Sequence, residues 1–311
     1  TSVASYHNYN YLILMQNLTD HLPDKDKKGK IRQRLWKVRA KKVILATGSI
    51  ERPMVFDCND RPGIMLSSAV RKYVNSYGVK CGNNVSIFTN NDDAYETALS
   101  LHDKGVKINS IIDIRKKSSG TLPKKCSELG IKIHWKSTVV YTEGYKKINK
   151  IHVMNLSKDN NNVIGNKLKI DCDLLCVSGG YTPAIHLFTQ SGGKLSYNEQ
   201  KHYFYPKTNT LNQISVGSCN GTFGLKNIIS EAQERTSEFL NINRKEQFNI
   251  LEPKGEDFEN IWLLPTNKIT GKTKSFVDYQ NDSTANDIKL ALREGFKSIE
   301  HVKRYTTTGM A

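Results

Sequence analysis

The chain has 311 residues, of which 38% are hydrophobic and 24% charged, and its formal net charge is +16. No apolar run approaches the roughly 20 residues of a membrane span, which excludes a membrane protein. Short apolar segments recur along the whole length without a heptad or low-complexity repeat, which excludes a fibrous or disordered chain. A soluble protein with room for two domains remains.

The excess of basic residues raises the question of a polyanionic partner. Lysine and asparagine are both abundant, as expected from an A+T-rich genome, and no nucleic-acid-binding motif accompanies the charge. The densest basic stretch, residues 25–42, predicts a turn followed by strands in which Lys37 and Arg39 alternate with Trp36 and Val38. We therefore predict a half-solvated basic sheet face, with neither nucleic acid nor a membrane as a partner.

Six cysteines without the spacing of a disulfide framework indicate a reducing compartment, so we predict a cytoplasmic protein. Cys172 and Cys176 flank a strand that the sequence predicts to be buried, and no C-x-x-C occurs. The eight histidines are scattered, without the spacing of a metal site. The sequence thus predicts no metal site and no catalytic residue on this chain.

The first strong structural signal is an apolar strand that ends in a glycine turn. Val43-Ile44-Leu45 leads into Ala46-Thr47-Gly48, with Pro53 a few residues later. This pattern is typical of flavoprotein-type nucleotide-binding domains, because glycine lets the backbone pass close to a bound dinucleotide where a Cβ would clash. An ordinary strand ending in a glycine turn has the same local sequence, so this segment alone leaves both interpretations open.

A βαβ unit follows. The spacing predicts a helix over residues 67–77, then a strand over 85–88, a helix over 94–104 and a strand over 108–114. The last two strands should run parallel. The loop between strand and helix, Asn90-Asn91-Asp92-Asp93, lacks G-x-G-x-x-G and puts side chains where a pyrophosphate needs bare backbone N–H groups. We therefore predict a second nucleotide-binding fold without its ligand.

The architecture of the first glycine turn is then repeated. After a predicted meander over residues 131–170, a strand over 171–177 that the sequence predicts to be buried runs into Ser178-Gly179-Gly180. Two such segments flanking a βαβ unit are far more specific than either one alone. Finally, a strand over 214–216 and a glycine-rich turn precede a predicted helix over 225–240, whose N-terminus would face dinucleotide phosphates.

These elements predict an α/β fold like that of the flavoprotein disulfide reductases, with a pair of nucleotide-binding folds, the second inserted in the first. The predicted first domain covers residues 1–79 and 205–240, and the inserted domain covers 80–204. Residues 241–311 are predicted to form a small, mainly helical module, whose first helix covers 284–294. Since the chain has no initial Met and no terminal cap, we expect it to be a piece of a longer protein.

Several blocks of the sequence resemble the alpha subunit of heterotetrameric sarcosine oxidase. Two of them are Asn59-Asp60-Arg61-Pro62-Gly63-Ile64-Met65 and Phe276-Val277-Asp278-Tyr279-Gln280-Asn281-Asp282. The others, which complete the match in order along nearly the whole chain, are 46–53, 68–71, 88–95, 178–183 with 186–187, 220–224 and 300–306. Related amine dehydrogenases share several of these blocks. On this resemblance the chain is the middle of an alpha subunit, without its N-terminal glycine-rich loop and its C-terminal, aminomethyltransferase-like folate domain.

The resemblance implies a complex that oxidises sarcosine (N-methylglycine) to glycine. Electrons would pass from FAD in the beta subunit, where the amine is oxidised, to FMN at the alpha–beta interface, where oxygen is reduced to peroxide. Tetrahydrofolate on the missing domain would take up the one-carbon unit, zinc would belong to the delta subunit, and the partners would be beta, gamma and delta subunits. The small third module resembles a fold that elsewhere carries a [2Fe–2S] cluster, but no cysteine follows Cys219, so thiolate ligation within it is impossible.

The resemblance also implies an NAD site in the first domain. Its expected lining residues are Thr47, Gly48, Gly217, Ser218, Phe223, Gly224 and Leu225. For Lys303, Arg304 and Tyr305, both a solvated basic helix end and an approach to the FMN phosphate are open. Two alternative functions are the corresponding subunit of another amine or opine dehydrogenase, and a noncatalytic scaffold subunit that binds no cofactor.

Overall fold

The computed structural model describes residues 2–208, 212–242, 248–251, 259–266 and 273–310. Its strands are β1 (Ser2–His7), β2 (Tyr11–Asn17), β3 (Gln33–Arg39), β4 (Val43–Leu45), β5 (Ser49–Glu51), β6 (Ile64–Leu66), β7 (Asn84–Thr89), β8 (Lys107–Asp113), β9 (Ile133–Trp135), β10 (Ser137–Glu143), β11 (Lys150–Leu156), β12 (Val163–Asp171), β13 (Leu174–Ser178), β14 (Tyr181–Pro183), β15 (Lys194–Asn198), β16 (Tyr203–Thr208), β17 (Gln213–Ser215), β18 (Phe276–Asp278) and β19 (Ser283–Thr284). Its α-helices are α1 (Asp24–Lys27), α2 (Ser67–Tyr77), α3 (Asp93–Asp103), α4 (Thr121–Glu128), α5 (His186–Gln190), α6 (Leu225–Leu240), α7 (Ala285–Arg293) and α8 (Ile299–Thr306). Among the described helices, none has both the length and the apolar character to cross a membrane.

The chain divides into two compact units, each made of two segments. Unit 1 comprises Thr1–Ile50 and Tyr181–Glu252, and unit 2 comprises Glu51–Gly180 and Pro253–Ala311. The predicted domain boundaries, after residues 79, 204 and 240, differ from this division and stay predictions. Part of the predicted third module, residues 243–247, 252–258 and 267–272, lies outside the described residues.

Unit 2 is built on a five-stranded parallel sheet in the order β6-β13-β7-β8-β9. The predicted βαβ unit is confirmed as β7, α3 and β8, with Val85 beside Ile108 and Phe88 beside Ile112 in parallel register. Helices α2, α3 and α4 pack on one face of this sheet through one apolar core. The predicted α/β class is therefore confirmed.

The antiparallel sheet β10-β11-β12 packs on the other face of the parallel sheet. Val139 and Ile151 of this second sheet share a core with Phe88, Ile112 and Val177 of the first. Because both of its faces are covered, β13 is buried along its whole length. This burial explains why its sequence is a continuous apolar run rather than an alternating one.

One strand belongs to a different sheet from the one that the sequence predicts. The prediction made residues 131–135 the start of the meander, whereas β9 is the fifth strand of the parallel sheet, with Ile111 beside Ile133 and Asp113 beside Trp135. The antiparallel meander starts only after Lys136, whose φ of 50° turns the chain. Since β9 is an edge strand and only partly buried, it alternates polar and apolar residues as a meander strand does.

The C-terminal part of unit 2 is small and mainly helical, as predicted. Helix α7 begins after Thr284, whose hydroxyl accepts a hydrogen bond from the Asp287 N–H. The Asp287 carboxylate in turn accepts from the Thr284 N–H at 2.8 Å, which completes a capping box. Ala291 of α7 and Val302 of α8 are buried.

Unit 1 contains the antiparallel sheet β1-β2-β3, the parallel pair β4 and β17, and helix α6. Tyr6, Leu45 and Phe188 belong to its core. Helix α6 has the bounds that the sequence predicts. The predicted basic strand is β3, but all of its side chains are exposed, including Trp36 and Val38, so the half-buried face predicted for it is wrong.

Candidate functional site

The residues predicted to line a dinucleotide site lie together in unit 1. Strands β4 and β17 run parallel, so their carboxyl ends meet at one edge of the sheet. Thr47 and Gly48 follow β4, while Gly217 and Ser218 follow β17. A Cβ built on Gly48 would lie 4.0 Å from Ser218 Oγ, so the two turns are neighbours. The carboxyl ends of parallel strands are where α/β proteins bind ligands.

Gly48 keeps an open backbone face at this edge. Its φ of 76° lies in the left-handed region that favours glycine. The Thr47 hydroxyl donates to Ala184 O at 2.8 Å and so fixes the turn. Apart from the Ser218 hydroxyl, no heavy atom of the described chain beyond the neighbouring residues lies within 4 Å of the position a Cβ would take. A ligand can therefore approach the backbone closely here.

A carboxylate on helix α6 organises the second turn. Glu231 accepts from the Gly217 N–H at 2.9 Å and from Asn220 Nδ2 at 2.5 Å, and Arg235 Nη1 lies 3.3 Å from its Oε1. Burial alone would raise the pKa of Glu231, but hydrogen bonds from Thr222, Asn220 and Gly217 outweigh it and hold the pKa below its ordinary value. The sequence prediction missed Glu231, whose one signal is an acidic residue in the second turn of the helix that follows the glycine turn.

The N-terminus of helix α6 lies directly after this turn. The helix begins at Leu225, after Gly224 with a φ of 85°, and the Ile228 N–H donates to Gly224 O at 2.9 Å. The Phe223 ring packs 5.7 Å from the ring of Tyr203. The N–H groups of a first helical turn lack intrahelical partners and carry partial positive charge, so this end of α6 stabilises an anionic group.

The seven predicted residues belong to the turns that follow β4 and β17 and to the start of α6. They offer an open glycine face, two hydroxyl groups on Thr47 and Ser218, and the positive end of a helix dipole. These features fit the pyrophosphate and adjoining backbone of a dinucleotide.

The equivalent turn in unit 2 is filled by its own side chains. Asn91 Nδ2 donates to Ser178 Oγ at 2.9 Å, and its Oδ1 accepts from the Asp93 N–H at 3.1 Å. Asn90 Nδ2 donates to Glu259 O at 2.8 Å. A loop whose amide groups are already paired in this way has little to offer a pyrophosphate, which supports the prediction of a fold without its ligand.

A buried ion cluster lies behind that loop, at the carboxyl ends of β7 and β8. Arg115 Nη2 lies 2.8 Å from both Asp92 Oδ1 and Asp113 Oδ2. Tyr95 donates from its hydroxyl to Asp113 Oδ2 at 2.8 Å. Burial raises the pKa of Asp113, while the hydrogen bonds from Arg115 and Tyr95 oppose that shift. The side chain of Asp113 is 0% exposed and that of Arg115 6% exposed, so the cluster acts within the protein interior.

The remaining sequence candidates are the cysteines around β13 and the end of the last helix. Cys172 and Cys176 are buried thiols, and burial raises the pKa of Cys172 to about 12. Over the described ranges, no three His, Cys, Asp or Glu side chains are grouped as metal ligands. Lys303, Arg304 and Tyr305 lie at the end of α8 in unit 2, where Arg304 and Tyr305 are exposed.

The protein-family model and the curated proteins that match this chain all belong to sarcosine oxidase. The model of the sarcosine oxidase A3 domain matches residues 272–311. Sarcosine oxidase subunit alpha of Corynebacterium sp. (strain P-1) is 35% identical over 322 residues, which is 100% of this chain and 33% of that protein. The resemblance to sarcosine oxidase alpha subunits is confirmed. The same subunit of Rhizobium meliloti (strain 1021) is 35% identical over 285 residues, which is 90% of this chain and 27% of that protein. The chain thus spans about a third of the length of these relatives.

Solved structures establish the fold. L-proline dehydrogenase from P. horikoshii matches with a TM-score of 0.63 at 17% identity, over 100% of this chain and 55% of that one. Thioredoxin reductase from Lactococcus lactis matches with a TM-score of 0.51 at 15% identity, over 77% of this chain and 74% of that one. At such identities the likeness shows the fold alone, and the predicted fold of the flavoprotein disulfide reductases, with a small helical C-terminal region, is confirmed.

Proposed function

We propose that this chain is the central part of the alpha subunit of a sarcosine oxidase complex, an oxidoreductase acting on a CH–NH donor, and that unit 1 binds NAD. Identity of 35% along the whole chain supports the subunit assignment. The observation that carries the NAD assignment is the convergence of two glycine turns and the N-terminus of α6 at the carboxyl ends of β4 and β17.

In this proposal the chain's own residues bind and orient NAD. Gly48 admits the dinucleotide backbone, and the hydroxyl groups of Thr47 and Ser218 border it. The first turn of α6, from Gly224 and Leu225, holds the pyrophosphate. Phe223, packed on Tyr203, forms the wall beside it. Glu231 positions the Gly217 turn by accepting its N–H, without touching the ligand.

The rest of the proposed cytoplasmic complex is what the resemblance to sarcosine oxidases implies. Sarcosine is oxidised on a beta subunit that carries FAD, FMN lies at the alpha–beta interface, and the products are glycine and peroxide. Tetrahydrofolate, on a part of the alpha subunit outside this chain, takes up the one-carbon unit. Gamma and delta subunits complete the heterotetramer, with zinc on delta. For Lys303, Arg304 and Tyr305 at the exposed end of α8, both a solvated helix end and an approach to the FMN phosphate stay open.

The first test is the cofactor content and substrate range of the full-length alpha subunit purified with its partners. We expect one NAD per alpha subunit after acid release, together with flavin, and sarcosine-dependent formation of peroxide and glycine. Activity with another secondary amine or an opine, but not with sarcosine, would favour the related dehydrogenases. A complex with neither NAD nor flavin would favour a noncatalytic scaffold.

A charge variant tests the position of the NAD site. Lys226 is exposed in the first turn of α6, so Lys226→Glu places a carboxylate where the helix dipole stabilises it by about 0.3–1 kcal/mol. The same carboxylate repels a pyrophosphate. We therefore expect unchanged or higher thermal stability of the NAD-free protein but a clear loss of bound NAD. Lys201→Glu, an equal charge change at an exposed residue between β15 and β16, is the control. Equal NAD content in the two variants would contradict the proposed position.

A further inference from the structure

Unit 2 contains a cavity that the proposed function does not use. Its volume is about 300 Å³, and it lies beside the edge strand β6. The floor is apolar and includes Met54, Phe56, Ile64 and Val177. A volume of this size is at the small end of ligand pockets and suits a metabolite of about ten heavy atoms.

The walls of the cavity are held in place by partly buried hydrogen bonds. Asn59 is 3% exposed; its Nδ2 donates to Phe276 O at 2.9 Å, and its Oδ1 accepts from the Phe276 N–H at 2.8 Å. The Tyr279 hydroxyl donates to Asn59 O at 3.1 Å. These bonds tie the loop before β6 to the segment around β18. The cavity is therefore preformed rather than dependent on a ligand for its shape.

Two adjacent residues give the cavity one positive and one negative group. Arg61 donates from Nε to Thr142 O at 3.1 Å and to Thr142 Oγ1 at 3.0 Å, and from Nη1 to Gly144 O, so all of these acceptors are neutral. Asp60 is exposed and also lines the cavity. Within the described part of the chain, neither residue forms an ion pair, with the other or with a third group. Each charge is therefore available to a ligand.

We propose that this cavity binds a free α-amino acid with an apolar side chain. The carboxylate of the ligand pairs with Arg61, its ammonium group pairs with Asp60, and its side chain lies on the floor of Met54, Phe56 and Val177. A ligand with a single charge pairs with only one of the two protein groups and gains no attraction from the other. A zwitterion satisfies both. The site requires neither NAD nor amine oxidation, so it goes beyond the proposed function.

The test is isothermal titration of the full-length complex with L-leucine, at saturating NAD. Two analogues each lack one charge: 4-methylpentanoate has no ammonium group, and 3-methylbutylamine has no carboxylate. We expect saturable leucine binding, at least tenfold weaker binding of both analogues, and at least tenfold weaker leucine binding by Asp60→Asn. Asp103→Asn removes a carboxylate that is 74% exposed on α3 and should bind leucine like the wild type.

Three outcomes would overturn the proposal. Leucine fails to bind at millimolar concentration, or either analogue binds as tightly as leucine, or Asp60→Asn binds leucine as tightly as Asp103→Asn does. The last outcome would show that leucine binds elsewhere in the complex, such as at a substrate site on a partner subunit. Arg61→Gln is a second variant, with its folding checked by thermal unfolding because Arg61 also holds Thr142 and Gly144. A failure to find NAD in the earlier test would not change the leucine affinities measured here. The NAD proposal and the amino-acid proposal can therefore be refuted independently.

Discussion

Alanine variants of two glycines in unit 1 test the NAD site, because the two variants should carry the same backbone strain. Gly48 has a φ of 76° and Gly29 a φ of 77°, so alanine at either position is held in the left-handed region. The strain costs roughly 1–2 kcal/mol in each case. A Cβ at Gly29 meets nothing within 4 Å, and one at Gly48 meets only Ser218 Oγ at 4.0 Å, an ordinary contact. The two variants should therefore lose the same stability, with melting temperatures lowered by roughly 2–8 °C.

Their NAD affinities should differ. The new methyl group of Gly48→Ala occupies the open face over which the dinucleotide backbone is proposed to pass, so we expect NAD binding at least tenfold weaker than in the wild type. Gly29→Ala should bind NAD like the wild type. The assay is isothermal titration with NAD on variants whose unfolding in urea has first been measured without NAD. Equal dissociation constants for Gly48→Ala and Gly29→Ala would refute the assignment of Gly48 to the site.

Three further predictions concern stability. Arg115→Met should lower the free energy of unfolding in urea by about 3–5 kcal/mol, because it removes the cation that pairs with the buried Asp113 carboxylate, and adding Asp113→Asn should restore part of the loss. A loss below about 1 kcal/mol would contradict the role of the cluster. The folded pKa of Glu231 lies below its unfolded value, so its stabilising contribution is present above the unfolded pKa and is lost as the pH falls through the folded pKa. The difference in free energy of unfolding between wild type and Glu231→Gln should therefore be full at pH 7 and shrink below about pH 4. A difference that does not change with pH would refute this role of Glu231. Thr284→Ala should cost about 1 kcal/mol through loss of the capping box, whereas Thr284→Ser should retain most of it, as judged by the shift in the urea midpoint.

Local signals in the sequence were enough to predict the elements around the candidate site. Helix α6 has the predicted bounds, and Gly48 has the positive φ that its place after a strand suggests. These features depend on residues within one turn of each other. The residues that the prediction missed depend on contacts across longer distances. Glu231 reaches the turn before its own helix only once α6 has packed there, and the Arg115 cluster joins the ends of two different strands.

The error at β9 has the same physical origin. A strand's sequence reports which of its faces is buried, but not which strand lies beside it, so residues 133–135 fit an antiparallel meander as well as the edge of a parallel sheet. The sequence did not predict the cavity in unit 2 either. Its rim combines Asp60 and Arg61 with Tyr279, which follows some 220 residues later, and no local pattern predicts that approach.

The interleaving of the two units sets an order for folding during synthesis. Unit 1 is complete only when the chain has reached residue 252, and unit 2 only after the segment that starts at residue 253. Until Phe276 leaves the ribosome, the side-chain amide of Asn59 lacks the partner that lies 217 positions further along the chain. Translation has therefore passed through the whole of unit 1 before the loop beside β6 can close. A nascent chain that has emerged from the ribosome only as far as a residue between 252 and 276 exposes the whole of unit 1, while unit 2 still lacks its last strands and helices.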